Sequence, residues 1–433
     1  MSGQTKGKGR LNTILRPSSK IKEVLFLSPF FFPEPISTGK YNTNLVEALA
    51  KAGCCVQVIC SHPFYPEWRP YFSKAQIPNV QIHRGGLCVR YPGSTILRRL
   101  VLDTWYAVHV LRKIISLRLR GMTAVAVFPP TMYFLAVNVL MRKSCKVGIV
   151  HDLQGVLSES QSGGLRRFAG AIAKWLEKQS LRRCDLVVFL SETMATQCIQ
   201  AYGLRPELCT VKYPFATALT GHGGKALKPL FAKGRNHLVY SGALGEKQCP
   251  WQLLELFFRV TLKSPDTVCH VFSKGPLFDA LQAEASRRGM ERVFFRPLVP
   301  GEQLAELYAR SSVQIIPQKL GTSGGAFPSK LPNLLNAGVP VFAISDAGSE
   351  LEHVLNAVDF GRTVNSWDLE AATDALLQFL AQESLRTHLE RRSKAIRYIN
   401  RYFDLENLVD TILKAKDDLP LDLGACGLEN NRR

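Results

Sequence analysis

Short apolar runs alternate with longer amphipathic stretches along almost the whole of this 433-residue chain, and they do so in two series. Val24–Ser28 (VLFLS), Val56–Cys60, Val80–His83, Ala124–Phe128, Lys146–Val150 and Leu186–Leu190 read as strands. Helical stretches separate most of them. In Tyr41–Ala52, for example, Leu45, Leu49 and the small Ala48 and Ala52 share one face. VLFLS and LVVFL are continuous rather than alternating, as strands are when both sheet faces are covered, so a parallel sheet with crossover helices is expected. The pattern breaks over Tyr213–Lys233, where Pro214, Gly221, Gly223, Gly224 and Pro229 fall among few large apolar residues. It then restarts with His237–Tyr240, Thr267–Phe272, Arg292–Phe295, Val313–Ile316 and Val339–Ile344. The fold class is therefore α/β: two doubly wound, Rossmann-like parallel-sheet domains facing a central cleft. The expected organisation is a basic disordered tail (1–20), a first Rossmann-like domain (21–213), a linker (214–234), a second Rossmann-like domain (235–400), and a segment (401–433) whose helix returns toward the first domain. Ligands in such sheets bind beyond the carboxyl ends of the strands.

Charge divides the chain in the same place. Residues 1–215 hold 29 Lys and Arg against 11 Asp and Glu, a net +18, and the remainder 26 against 24, a net +2. The 11 cysteines are odd in number and form no CxxC pair, which fits reduced, mostly buried thiols and a cytoplasmic setting. The start lacks the apolar segment and cleavage site of a secretory signal. The longest uncharged stretch, Gly121–Met141, is cut by Pro129-Pro130, so a membrane span is not expected. No cluster has metal-ligand spacing, and no zinc-finger, homeodomain or RNP-type pattern points to nucleic acid.

Four loops at strand ends could carry chemistry. Ser28–Tyr41 ends in Thr38-Gly39-Lys40, but Glu34 stands where a phosphate loop needs its first glycine and Tyr41 where it needs Ser or Thr. What remains is either a turn and cap, or Gly39 and Lys40 delivered to a helix start that favours an anion. His151-Asp152 follows strand KVGIV directly and is either a substrate-contacting pair or a structural hydrogen-bonding one. In YSGALGEK, Gly242 and Gly245 permit close backbone approach and Lys247 can meet a phosphate, unless it is an ordinary turn lysine. Gln318–Gly338 runs from a Gly-rich segment into Pro328-Ser329-Lys330, where N–H groups, a hydroxyl and an ammonium come together, or where a Pro simply starts a helix. No GxGxxG follows any strand, which removes the usual nicotinamide or flavin reading.

In combination PEPISTGKY (33–41), SHPFYPEW (61–68), YSGALGEKQ (240–248), PQK (317–319) and PSKLPNLLNAGVPV (328–341), in order over residues 21–415, resemble the family-4 retaining glycosyltransferases of GT-B fold. The nearest likeness is to those of colanic-acid or exopolysaccharide synthesis. The resemblance implies a nucleotide-diphosphate sugar held mainly by the second half and a lipid-linked or saccharide acceptor held mainly by the first. It implies that Lys247 and Ser329-Lys330 hold the diphosphate, with no cofactor and no metal. Lys319 would share in substrate binding, Gly39 and Lys40 would approach the phosphate and sugar, His151 and Asp152 would lie beside the sugar, and Leu298 beside the base. The chain departs from many relatives where Ala243-Leu244 replaces an Arg-containing stretch, and where Gly325 and Asn333 replace two glutamates eight positions apart. Asn333 could still hydrogen-bond a ribose.

The basic excess suggests a further partner. Thr95–Arg120 places Leu97, Leu100, Val101, Trp105, Val108, Leu111, Ile114 and Ile115 on a broad helical stripe, with Arg98, Arg99, Arg112, Lys113, Arg118 and Arg120 around it. Such a helix suits an anionic membrane at the inner face of the plasma membrane, or is a domain helix with a solvated basic face. Two other functions share the fold: a nucleotide-sugar epimerase, and a non-catalytic scaffold that binds a nucleotide sugar.

Overall fold

The computed structural model describes residues 22–34, 36–152, 164–215, 226–323, 327–385 and 388–415. The first sheet contains β1 (Glu23–Leu27), β2 (Cys55–Ser61), β3 (Val80–Gly85), β4 (Thr123–Phe128), β5 (Lys146–Val150), β6 (Leu186–Phe189) and β7 (Cys209–Val211), in spatial order β3-β2-β1-β4-β5-β6-β7. The second contains β8 (Asn236–Ser241), β9 (Thr267–Phe272), β10 (Val293–Arg296), β11 (Val313–Pro317), β12 (Val341–Ile344) and β13 (Gly361–Val364), in order β10-β9-β8-β11-β12-β13. Every pairing is parallel. The continuous apolar strands behave as their composition dictates, since all of β4 (TAVAVF) and all of β9 (TVCHVF) are buried. The edge strands β7 and β13, absent from the sequence reading, are short and half-buried, which suits strands with one unpaired side.

Each sheet packs helices on both faces. Tyr106, Val110, Ile114, Tyr133 and Phe134 cover one face of the first sheet. The other is covered by Leu45 and Leu49, joined by Leu408, Val409 and Ile412 of the last helix, Leu405–Lys414. Lys22 Nζ donates to the Leu413 carbonyl at 2.8 Å, so the end of the described chain lies on the first half. In the second sheet, Phe257, Phe342 and Phe379 lie in one core and Leu334, Leu355, Phe360 and Ile399 in the other. Leu227 and Phe231, within the expected linker, join that last core.

The halves also touch at a second place. Glu350, buried at the start of helix Glu350–Val358, accepts from Thr193 N at 3.0 Å and Thr193 Oγ1 at 3.2 Å, and from the Tyr213 hydroxyl. A helix of the first half, the connecting chain and a helix of the second half thus share one carboxylate.

Four local readings need correction. The first helix spans Ser37–Lys51, so Gly39 and Lys40 lie in its opening turn rather than ahead of it. The basic helix stops at Ser116, not Arg120. Its Ile114 is buried in the core, and the Arg98 guanidinium lies 4.1 Å over the Trp68 ring rather than in solvent. The fourth loop's helix is Leu331–Ala337, with Pro332 in its first turn, so Pro328-Ser329-Lys330 precede it. Residues 1–20, Gly325 and 416–433 lie outside the described residues. Among the described residues no helix is long and apolar enough to cross a membrane, and no three His, Cys, Asp or Glu side chains cluster as metal ligands.

Candidate active site

In both sheets the strand order reverses beside the first strand, between β1 and β4 and between β8 and β11. Loops diverge at such switch points and leave a crevice at the strands' carboxyl ends. The sequence-derived site residues lie beyond the carboxyl ends of β1, β5, β8, β10 and β11, in loops or in the helices that follow them.

From the first half, β5 delivers His151 and Asp152. The His151 amide donates to Phe128 O at 2.9 Å, and its ring meets Tyr41 edge-on at 4.6 Å. Burial pushes the imidazole down to about 4, so it is neutral at physiological pH. Its Nε2 is buried and has no hydrogen-bond partner among the described residues. Gly39 is buried against the preceding loop. A Cβ there would stand 3.2 Å from both the Glu34 carbonyl and Ile36 Cγ2, so the turn is packed to glycine's dimensions. Lys40 beside it is exposed.

From the second half, β8 runs into Gly242, whose φ of +150 admits glycine far more readily than other residues. Ser273 Oγ donates to the Gly242 carbonyl at 2.7 Å and fixes this turn to β9. Lys247 follows. Its Nζ approaches Asp152 Oδ2 at 3.2 Å and Oδ1 at 3.4 Å, an ion pair that bridges the two halves. Both side chains remain partly exposed, so the pair is worth at most about 1 kcal/mol and is readily exchanged for a stronger partner. The Lys247 carbonyl accepts from Lys319 N at 2.8 Å, which ties the β11 loop to the β8 loop.

Lys330 completes the group. Its Nζ donates to Ile315 O at 2.9 Å and Ser241 O at 3.4 Å, and lies 4.5 Å from the centre of the Tyr240 ring. The residue keeps some surface while its ammonium end is sunk, and burial pushes the ammonium down to about 7. Ser329 is exposed just before it, Asn333 is half-buried on Leu331–Ala337, and Leu298 is exposed beyond β10. The structure thus joins Asp152, Lys247 and the Lys319 backbone by direct contacts, with His151 adjoining Asp152. Lys330 is fixed to the end of β8, just before Gly242. Lys40 and Leu298 sit at the same ends of their sheets but are not hydrogen-bonded into this group through their side chains.

Asp346, after β12, escaped the sequence reading. It accepts from Gly321 N at 2.6 Å, Ser323 N at 3.1 Å and Ser323 Oγ at 2.5 Å, and so pins the start of the Gly-rich segment. Its one signal was position: an acid two residues beyond an apolar strand.

Two facing parallel sheets with ligand-facing loops at their carboxyl ends define the GT-B architecture. Sucrose-phosphate synthase from Thermosynechococcus elongatus shares it with a TM-score of 0.72 at 15% identity, over 92% of this chain and 99% of that one. A trehalose-6-phosphate protein from E. coli bound with UDP-2-fluoro glucose shares it with a TM-score of 0.68 at 11% identity, over 92% and 100%. The family descriptions "Glycosyl transferase 4-like domain" and "Glycosyl transferases group 1" match residues 38–214 and 226–396. The chain belongs to the GT-B glycosyltransferases of family-4 type. The putative colanic acid biosynthesis glycosyl transferase WcaI of Escherichia coli (strain K12) is 25% identical over 341 residues, 74% of this chain and 83% of that protein.

Proposed function

We propose that this glycosyltransferase is retaining. It takes a sugar from a nucleotide-diphosphate sugar held by the second half and passes it to a lipid-linked or saccharide acceptor held by the first. The setting is cell-surface or exopolysaccharide synthesis at the inner face of the plasma membrane. The observation that carries this reading is the contact of Lys247 with Asp152 across the cleft, 3.2 Å apart and next to His151. A phosphate-type lysine from one half and a sugar-type pair from the other occupy one place.

The departing diphosphate gains negative charge as its bond to the anomeric carbon breaks, and fixed cations aimed at it lower the barrier. Lys247 and Lys330 supply those cations, with the Ser329 hydroxyl and the Gly242 backbone beside them, so the reaction needs no metal ion. In exchanging Asp152 for the diphosphate, Lys247 frees the carboxylate for a sugar hydroxyl. Neutral His151 offers Nε2 to the same sugar. Leu298 lies toward the base, Asn333 toward the ribose, Lys319 toward the phosphates, and Gly39 and Lys40 approach from across the cleft. Retention means that the acceptor oxygen bonds the face from which the diphosphate leaves. The colanic-acid relative supports the pathway, and the UDP-sugar in a protein of the same fold supports the donor class.

The basic helix Thr95–Ser116 supports the membrane setting. Leu100 (57% exposed), Val108, Leu111 and Ile115 (58%) are exposed on it, with Arg99 and Arg112 exposed beside them, while Leu102, Tyr106 and Val110 face the core. An exposed apolar row flanked by arginines suits an anionic bilayer, where a lipid-linked acceptor resides.

Product analysis with labelled UDP- and GDP-sugars, in EDTA and with membrane lipid extract, tests this reading. Label on lipid with the donor's anomeric configuration is the expected result. An epimerised free nucleotide sugar, inversion, a strict need for added metal, or no product at all would each overturn the corresponding part.

A further inference from the structure

The loop after β1 and the segment after β2 share a contact that the chemistry above does not use. Glu34 is only 3% exposed. Its Oε1 accepts from two consecutive amides, Phe64 N at 2.7 Å and Tyr65 N at 2.8 Å. Its Oε2 is buried with no partner among the described residues. Burial pushes the Glu34 carboxyl up to about 7 against the pull of the two amides and of Arg84 on β3, whose guanidinium donates instead to the Phe32 and Ala75 carbonyls at 2.7 and 2.8 Å. A buried oxygen left idle in this way costs free energy, so the residue calls for an explanation beyond filling space.

The two amides open an aromatic segment. Phe64 is buried and stacks on Trp68 at 5.1 Å. Further along, Tyr71 is 48% and Phe72 77% exposed, and the His62 ring meets Phe72 at 4.6 Å. Phe72 is the most exposed of the large apolar side chains among the described residues. Glu34's own carbonyl, meanwhile, is one of the atoms that confine Gly39. One residue therefore grips the aromatic segment with its side chain and borders the cleft turn with its backbone.

We propose that Glu34 is an acceptor-positioning residue, which holds segment 62–72 in register with the Gly39 turn so that Tyr71 and Phe72 form a platform for a saccharide ring of the acceptor. Aromatic faces bury the C–H face of a sugar while its hydroxyls stay in water. The effect depends on a fixed placement of the rings relative to the donor sugar, because small misplacements of a reacting group cost rate steeply. The proposal rests on the reading that the first half holds the acceptor.

The test uses the full chain, a panel of UDP- and GDP-hexoses from which the donor turned over by wild type is carried forward, and octyl glucoside and octyl galactoside as acceptors. Nucleotide release is measured with and without acceptor. Glu34→Ala should raise the acceptor KM by about tenfold, the loss of two hydrogen bonds, with donor KM and acceptor-free hydrolysis within about twofold. Glu34→Gln keeps the accepting oxygen at full length and should restore the acceptor KM. Glu34→Asp keeps the charge but is one methylene short, and should fail like alanine. If Asp rescues and Gln does not, charge rather than placement is at work and the proposal is wrong. It is equally wrong if the Ala and Asp variants leave acceptor KM unchanged or shift donor KM as much as acceptor KM. Wild type that shows no acceptor-dependent release overturns the underlying reading, and this proposal with it.

Discussion

Lys330 should take up a proton when the donor nucleotide binds. In the ligand-free chain burial holds its ammonium at about 7, well below the ordinary lysine value of 10.5. It is then about half charged at pH 7 and about one-tenth charged at pH 8. A diphosphate within about 4–6 Å favours the charged form, and a rise of two pKa units makes it about nine-tenths charged at pH 8. Uptake should therefore be about 0.8 proton at pH 8, about 0.5 at pH 7 and about 0.1 at pH 6. The sign follows from linkage: because the complex binds more protons than the free protein, apparent affinity falls as pH rises above 7, by about six- to sevenfold per unit at the steepest. Calorimetric titration of UDP and GDP in two buffers of different ionisation enthalpy measures the uptake directly. At pH 8 the nucleotide's own phosphates, with a second pKa near 6, are fully ionised and contribute little. Lys330→Met should bind more weakly and lose the uptake. Heat that is independent of buffer at pH 8, or the same uptake in Lys330→Met, would refute the reasoning. Folding carries the same signature with its own sign: the folded pKa is depressed, so ligand-free stability rises with pH between 7 and 10.5 as far as this residue governs it.

Lys247→Ala should lower transfer turnover by about 10²–10³-fold, the cost of one charge-stabilising contact, and leave the thermal melt close to wild type because the ion pair to Asp152 is weak. Near-wild-type turnover would remove Lys247 from the site. Gly361→Ala should destabilise by about 1–3 kcal/mol in denaturant unfolding, since its Cβ would lie 2.6 Å from the Val341 carbonyl, backbone that cannot step aside. Reversing Arg99, Arg112 and Lys113 to Glu should release the protein from anionic vesicles, at about 1 kcal/mol for each charge removed, with little change in turnover of a soluble acceptor; sedimentation equal to wild type would leave the helix a plain domain helix.

What the sequence could and could not disclose follows from the reach of each interaction. The buried strands were legible because a strand covered on both faces is apolar at most positions, and β4 and β9, buried throughout, carry only Thr123, Thr267 and His270 as polar members. The edge strands β7 and β13 were not, for a half-buried run of three or four residues carries no such demand. His151-Asp152 could be read because it follows β5 directly, and Lys247 because it lies in the glycine-bearing loop after β8, which places each at the carboxyl end of its sheet. That Lys247 and Asp152 touch could not be read, because 95 residues and a domain boundary separate them. The same holds for the carboxylates that hold the cleft together. Glu34 grips amides 30 and 31 residues away, Glu350 reaches 137 and 157 residues back, and Asp346 holds a loop 23 to 25 residues before it. Each of these acids looks like an ordinary surface residue in the sequence, because the amides and hydroxyls that hold it lie on distant segments. The basic helix failed in the opposite sense. Its apolar residues are dense enough to suggest a single stripe, yet Ile114 belongs to the core while Ile115 lies outside, one residue and about 100° away. Only the packing partner decides which side of such a helix faces in. The same packing decides the chemistry at Lys330: burial lowers the pKa of its ammonium although the Ser241 and Ile315 carbonyls and the Tyr240 ring favour the charge, and leaves a lysine whose charge the donor itself can complete.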